Sequence, residues 1–216
     1  MTVRRLPRVV PFVGEEWEPL RPDHPMRQVT REVALGAGWT PEMAARVGGL
    51  FDQLAGEWHT RDKPERYLSI ADALERGGPF GHGLAVELGS GTGMTTKLFA
   101  ERFPWLIAVD LSMEMLRLAP ADIPRIRADG SRLPLADGSV ATLVLVNMLL
   151  FPVEVDRILA VDGVLLWVNT AGPHTPIYLS PEDLDAALPR EWDLVAAEGG
   201  RGTWCVARRD ASRLLG

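Results

Sequence analysis

The segment Val86-Glu87-Leu88-Gly89-Ser90-Gly91-Thr92-Gly93 constrains the fold of this chain more than any other. The apolar run Leu84–Leu88 reads as a strand and Thr92–Arg102 as a helix, so a strand passes into a helix through a turn crowded with glycine. Glycine tolerates left-handed backbone and lets a ligand approach the main chain closely. The helix N-terminus that follows offers unpaired N–H groups and the positive end of a dipole, which suits anionic or hydrogen-bond-accepting groups. A nucleotide ligand is therefore the first expectation. The dinucleotide pattern G-x-G-x-x-G fails, because its third glycine would fall on Met94. What stands here is G-x-G-x-G preceded by an acid, Glu87.

From residue 83 onward strand and helix patterns alternate, which calls for an α/β fold built on a doubly wound, mostly parallel sheet. Seven strands are expected, at Leu84–Leu88, Leu106–Asp110, Arg125–Ala128, Ala141–Asn147, Val164–Asn169, Trp192–Ala197 and Thr203–Arg208. Helices are expected at Thr92–Arg102, Met113–Leu118, Val153–Ala160 and Pro181–Leu188. The last two strands are joined by Gly199-Gly200-Arg201-Gly202, short enough for a hairpin, and should be antiparallel. Ahead of this core, Pro7, Pro11, Pro19, Pro22 and Pro25 oppose a long helix or a central strand over residues 1–30. That stretch reads as an extended arm, either a strap packed over the domain or a disordered tail, with a lid or a contact in a homodimer as the functional alternatives. Residues 31–79 read as helical. Thr40-Pro41-Glu42 is a helix start, Met43, Val47, Leu50, Phe51, Leu54 and Trp58 form a stripe expected to pack as core, and a second helix runs from Glu65 to Arg76. The chain thus divides into an N-terminal arm and helical cap, 1–79, and a core, 80–216.

Composition narrows the partners. A formal charge of −6 and a pI near 5.3 count against a phosphate-binding surface, hence against nucleic acid. The longest apolar run, Val140 to Val153, contains Thr142, Asn147 and Pro152 and is too short for membrane insertion. The N-terminus lacks an apolar signal core, and the single cysteine, Cys205, forbids an intrachain disulfide; a cytoplasmic location is expected.

In order along the chain, the motifs resemble those of the class I S-adenosylmethionine-dependent methyltransferases. Glu87-Leu88-Gly89-Ser90-Gly91-Thr92-Gly93 looks like that family's first motif. Asp110 ends the second strand and Ala128-Asp129-Gly130 ends the third. Leu133-Pro134-Leu135-Ala136-Asp137-Gly138-Ser139 resembles the turn before the family's fourth strand, and Asn147-Met148 the segment beside the methyl donor. The resemblance covers roughly residues 67–209. It implies a Rossmann-like methyltransferase fold, S-adenosylmethionine as methyl donor with S-adenosylhomocysteine as product, and no metal. It also implies residue roles. Glu87, Gly89, Ser90, Gly91 and Gly93 would hold the amino-acid end of the donor. Asp110, with Leu111 and Met115 nearby, would bind the ribose, and Asp129 and Gly130 the adenine, with Asn147 and Met148 near the methyl group.

Two departures refine this reading. Ala160-Val161-Asp162-Gly163 stands where a "KPGG"-like turn is usual, and Asn147-Met148-Leu149-Leu150 lacks the Asn/Asp-Pro-Pro-aromatic signature of many base-modifying enzymes. The closest resemblance is to small-molecule methyltransferases of ubiquinone and menaquinone biosynthesis. No catalytic triad is visible. His174 and His59 are the candidate general bases, since an imidazole titrates near neutral pH, while His24 and His82 read as structural or exposed. The competing readings are a non-catalytic S-adenosylmethionine-binding or regulatory protein and an NAD(P)-dependent oxidoreductase.

Overall fold

The computed structural model describes residues 3–12, 24–189 and 192–209. Its strands are β1 (Arg4–Arg5), β2 (Ala85–Leu88), β3 (Leu106–Asp110), β4 (Arg125–Arg127), β5 (Val140–Val146), β6 (Leu159–Asn169), β7 (Trp192–Gly199) and β8 (Gly202–Arg209). They form one sheet in the order β1-β7-β8-β6-β5-β2-β3-β4. The helices are α1 (Pro25–Ala34), α2 (Pro41–Leu54), α3 (Glu65–Arg76), α4 (Thr96–Arg102), α5 (Met113–Leu118), α6 (Pro152–Ile158) and α7 (Pro181–Ala187), with 3-10 turns at Ala55–Arg61 and Gly172–His174. β8 runs antiparallel to both β6 and β7, and the other pairings are parallel. The expected doubly wound sheet with its terminal hairpin is therefore present. Among the described residues no helix is long and apolar enough to cross a membrane.

The sheet has eight strands rather than seven. The additional one, β1, pairs with β7 at the sheet edge. Both its residues are exposed, so no apolar alternation marks it. It is held by Leu6 N–H on the Ala196 carbonyl at 2.8 Å and by Arg5 on Glu182 at 2.7 Å. The extended arm is corrected at its other end too, because a helix already starts at Pro25. Proline at the first helical position lacks only an N–H that would be unpaired anyway, and His24 Nδ1 accepts from Met26 N–H at 3.2 Å as the cap. Pro19 and Pro22 lie outside the described residues.

The two faces of the sheet carry separate apolar layers. Along β5, Leu143 and Leu145 pack in one and Val144 and Val146 in the other, the alternation a two-sided strand requires. α3 lies against β6, β7 and β8, with Ile70 and Ala73 in the layer that holds Trp204 and Val206. The stripe expected to pack along α2 is only partly covered, and Leu50 remains 47% exposed. The buried residues of α2 are instead Ala44 and Gly48, small ones that let the helix approach closely. A Cβ on Gly48 would stand 3.4 Å from Leu111.

Two boundaries differ for local reasons. The helix expected from Thr92 begins at Thr96, because Gly89 to Thr95 stay in the turn. The helix expected to reach Ala160 stops at Ile158, and β6 starts at once. β5 then pairs Val140 with Leu159 but Thr142 with Val164, so 160–163 form a bulge that absorbs the unusual Asp162-Gly163 turn.

Candidate functional site

In open α/β sheets ligands bind beyond the carboxyl ends of the strands. Here the ends of β2, β3 and β5 bring most of the expected residues together. Gly89, Gly91 and Gly93 have φ of +76°, +56° and +76°, a backbone that residues with a Cβ rarely adopt. The turn is tied to the next strand by Asp110, whose Oδ2 accepts the Gly91 N–H at 2.7 Å while Oδ1 accepts the Ser112 N–H at 2.8 Å. Burial raises the Asp110 pKa. Each carboxylate oxygen makes one of these bonds and has further acceptor capacity. Ser90 contributes a different feature, a hydroxyl buried without a hydrogen-bond partner.

Glu87 sits differently from what a ligand-facing acid would require. It is 1% exposed, with Oε1 accepting from Thr95 Oγ1 at 2.6 Å and Oε2 from Thr96 Oγ1. The carboxyl group thus braces the turn from below, joining the end of β2 to the start of α4. Burial pushes its pKa up to about 7, against the opposing effect of the two threonine bonds. Thr95 and Thr96 escaped the sequence reading. Two hydroxyl residues following the glycines were the available signal.

The cap reaches the same place. Asp52 on α2 accepts from Ser112 Oγ at 2.5 Å and from Glu114 N–H at 3.1 Å, which holds its pKa low. Trp58 Nε1 stands 3.5 Å from where a Cβ on Gly91 would be, with Met115 at 3.9 Å from the same point. Its indole is flanked by the Phe51 ring at 5.5 Å and the Arg61 guanidinium at 4.3 Å. Trp39, which the sequence did not single out, donates from Nε1 to both oxygens of Asp129, at 2.9 and 3.1 Å. Asp129 Oδ1 also accepts from Ser131 N–H at 2.8 Å.

Met148 and Asn147 take distinct positions. A Cβ on Gly89 would lie 2.5 Å from Met148 Sδ and one on Gly130 3.4 Å from Met148 Cε, so the Met148 side chain spans the two glycines. Asn147 has φ +51°, a conformation asparagine adopts more readily than most residues. Its Nδ2 donates to Thr170 Oγ1 and its Oδ1 accepts from Thr170 N–H, both at 2.9 Å. It therefore clamps the ends of β5 and β6. His59 lies on the exposed 3-10 turn with Nδ1 3.1 Å from the Gly56 carbonyl, whereas His174 is half-buried just after β6.

Residues 86–166 match the family model described as a methyltransferase domain. No curated protein matches the chain. Many solved structures share its fold, and three are compared with it. A SAM-dependent methyltransferase from Aquifex aeolicus is 16% identical, with 71% of this chain and 97% of that one covered and a TM-score of 0.58. One from Thermotoga maritima is 19% identical, with 74% and 98% covered and a TM-score of 0.57. A complex described as DhpI-SAM-HEP is 17% identical, with 80% and 100% covered and a TM-score of 0.64. At these identities the likeness establishes the fold, a Rossmann-like methyltransferase fold.

Proposed function

We propose that this chain, with a methyltransferase domain over residues 86–166, transfers the methyl group of S-adenosylmethionine to a small-molecule acceptor. The observation that carries this reading is the left-handed glycine turn held to the Asp110 carboxylate at the Gly91 N–H, 2.7 Å. The residues fit such a donor. Ser90 offers an unpartnered buried hydroxyl, and the bare main chain of Gly91 faces Trp58 and Met115. When bound, S-adenosylmethionine supplies a sulfonium methyl carbon that an acceptor lone pair displaces in line, the electron pair leaving on the sulfur of S-adenosylhomocysteine.

The protein's part is placement. Ser90 and the main chain of 89–93 hold the amino-acid end. The spare acceptor capacity of Asp110 takes the ribose hydroxyls, with Leu111 and Met148 as apolar neighbours. Asp129 accepts from the adenine amino group. Glu87 acts indirectly, by fixing the turn. An acceptor that must lose a proton needs a base, and His174, after β6, is better placed for that than the surface-turn His59. The acidic chain and the absence of the Pro-Pro-aromatic signature after Asn147 favour a small molecule over a nucleic acid.

Purified protein should bind S-adenosylhomocysteine and S-adenosylmethionine with micromolar or tighter affinity in calorimetry. It should also move labelled methyl from S-adenosylmethionine into a small-metabolite fraction. Absence of binding to either ligand overturns the reading. Binding without any transfer points to the non-catalytic alternative.

The Trp39–Asp129 contact supplies a second prediction. Trp39 packs with its ring centre 5.1 Å from that of Phe151, and Trp39→Phe keeps a smaller aromatic ring there while removing the N–H that occupies Asp129. An adenine amino group then meets a carboxylate whose remaining partner is the Ser131 N–H on Oδ1. For a bond of about 1 kcal/mol, S-adenosylhomocysteine should bind roughly fivefold more tightly. Weaker binding in titration calorimetry would make Trp39 a wall of the adenine site instead of a competitor for it.

A further inference from the structure

We infer that Arg27 recognises an oxyanion on the methyl acceptor, a carboxylate or a phosphonate-type group, and so sets the acceptor class. This rests on the methyltransferase reading above and deepens it. Arg27 lies on the buried face of α1 with Thr30, Val33 and Ala34, and is 7% exposed. Its Nη2 donates to the Pro173 carbonyl, and its guanidinium stands 5.3 Å from the centre of the Tyr178 ring. Its Nε is buried with no hydrogen-bond partner. Among the described residues no carboxylate pairs with it, and the charged side chain acting on it is a second cation, Arg31.

An arginine cannot shed its proton to escape such a site. Burying a cation with one carbonyl and one ring for company is unfavourable unless an anion completes it. A guanidinium with an unused N–H can donate it to a planar or tetrahedral oxyanion.

The position suits an acceptor. Val33, six residues further along α1, packs on Leu149 and Phe151, just beyond the end of β5. Pro173 and Tyr178 belong to the segment that follows β6. α1 therefore roofs the carboxyl ends of β5 and β6, where an open α/β sheet receives ligands. Met148, which lies against Gly89, is a neighbour of the same apolar group. A purely structural bond to Pro173 would need one donor. It would not need a permanent charge with a buried, unused N–H.

The test uses the full chain, with and without saturating S-adenosylhomocysteine, at constant ionic strength. Sodium benzoate, sodium phenylphosphonate and the neutral benzamide are titrated by calorimetry and thermal shift. At least one oxyanion should bind ten times or more tighter than benzamide. Arg27→Gln should erase that preference while leaving S-adenosylhomocysteine affinity within twofold, and Arg27→Lys should keep part of it. Preference for benzoate assigns a carboxylate acceptor, and preference for phenylphosphonate a phosphonate-type one. The inference is overturned if wild-type protein binds benzamide as well as either oxyanion, or if Arg27→Gln retains the tenfold preference. Should Arg27→Gln fail to fold, the wild-type comparison decides alone. Failure of S-adenosylhomocysteine to bind strikes the methyltransferase reading, and the oxyanion comparison on the ligand-free protein is read independently of it.

Discussion

Asp110→Ala should weaken S-adenosylhomocysteine binding by about 100-fold or more and should also lower the melting temperature. The first effect follows from removing a carboxylate that would take two ribose hydroxyls. Hydrogen bonds to a charged group are worth roughly 1.5–3 kcal/mol each, and 1.4 kcal/mol is a factor of ten. The second follows from what the same carboxylate does without ligand. It accepts the N–H groups of Gly91 and Ser112, both buried residues, at 2.7 and 2.8 Å. Alanine leaves both donors without that acceptor, at about 1–3 kcal/mol apiece. For a domain of this size each kcal/mol lowers the melting temperature by roughly 2–4 °C. Asp110→Asn separates the two roles, since its remaining oxygen can still serve one of the two N–H groups. Calorimetry and thermal melts on the three proteins check this, and unchanged affinity for Asp110→Ala would remove Asp110 from the site.

How much of this was legible beforehand depended on whether the information was local. The glycine turn needs left-handed backbone at Gly89, Gly91 and Gly93, and only a few residue types provide it, so the turn shows in the sequence. The parallel strands show too, because burial on both faces demands continuous apolar runs such as Val140–Val146. β1 did not show: two exposed arginines at a sheet edge carry no pattern, and what holds them is the facing β7. Trp39 and Thr95 were equally silent. Their roles depend on what lies across from them, Asp129 some 90 positions away in the chain and Glu87 beneath the turn. The stripe on α2 misled for the same reason. The nature of the surface facing α2 decided that Gly48 packs and Leu50 does not. Residue types announce which chemistry is available. The partners that tertiary contact supplies decide whether an acid such as Glu87 faces a ligand or the core.

Glu87 yields the other large effect. Its folded pKa, raised to about 7 by burial, exceeds the ordinary value of 4.5. Between those two values the folded protein keeps a proton that the unfolded chain has released. Stability is thus greatest below about pH 4.5 as far as this group is concerned, falls as pH rises through the window, and has lost its whole contribution above about pH 7. At about 1.4 kcal/mol per pH unit the loss is on the order of 3 kcal/mol. Glutamine mimics the protonated acid in shape and charge. Its oxygen can accept from one threonine, and its amide can donate to the hydroxyl of the other. Glu87→Gln should therefore match wild type near pH 5, remain level as pH rises, and exceed wild type at pH 8 by several degrees in melting temperature. Urea unfolding at half-unit steps from pH 5 to 8 checks the slope. Two parallel profiles would mean that Glu87 is ionised throughout and that the threonine bonds outweigh its burial. A falling wild-type profile beside a flat variant would place a proton on a buried acid directly beneath the proposed ligand loop. A cationic ligand there would favour the ionised form, so its binding near neutral pH should release a proton from wild type and none from Glu87→Gln, a difference visible in calorimetry across buffers of unlike ionisation enthalpy.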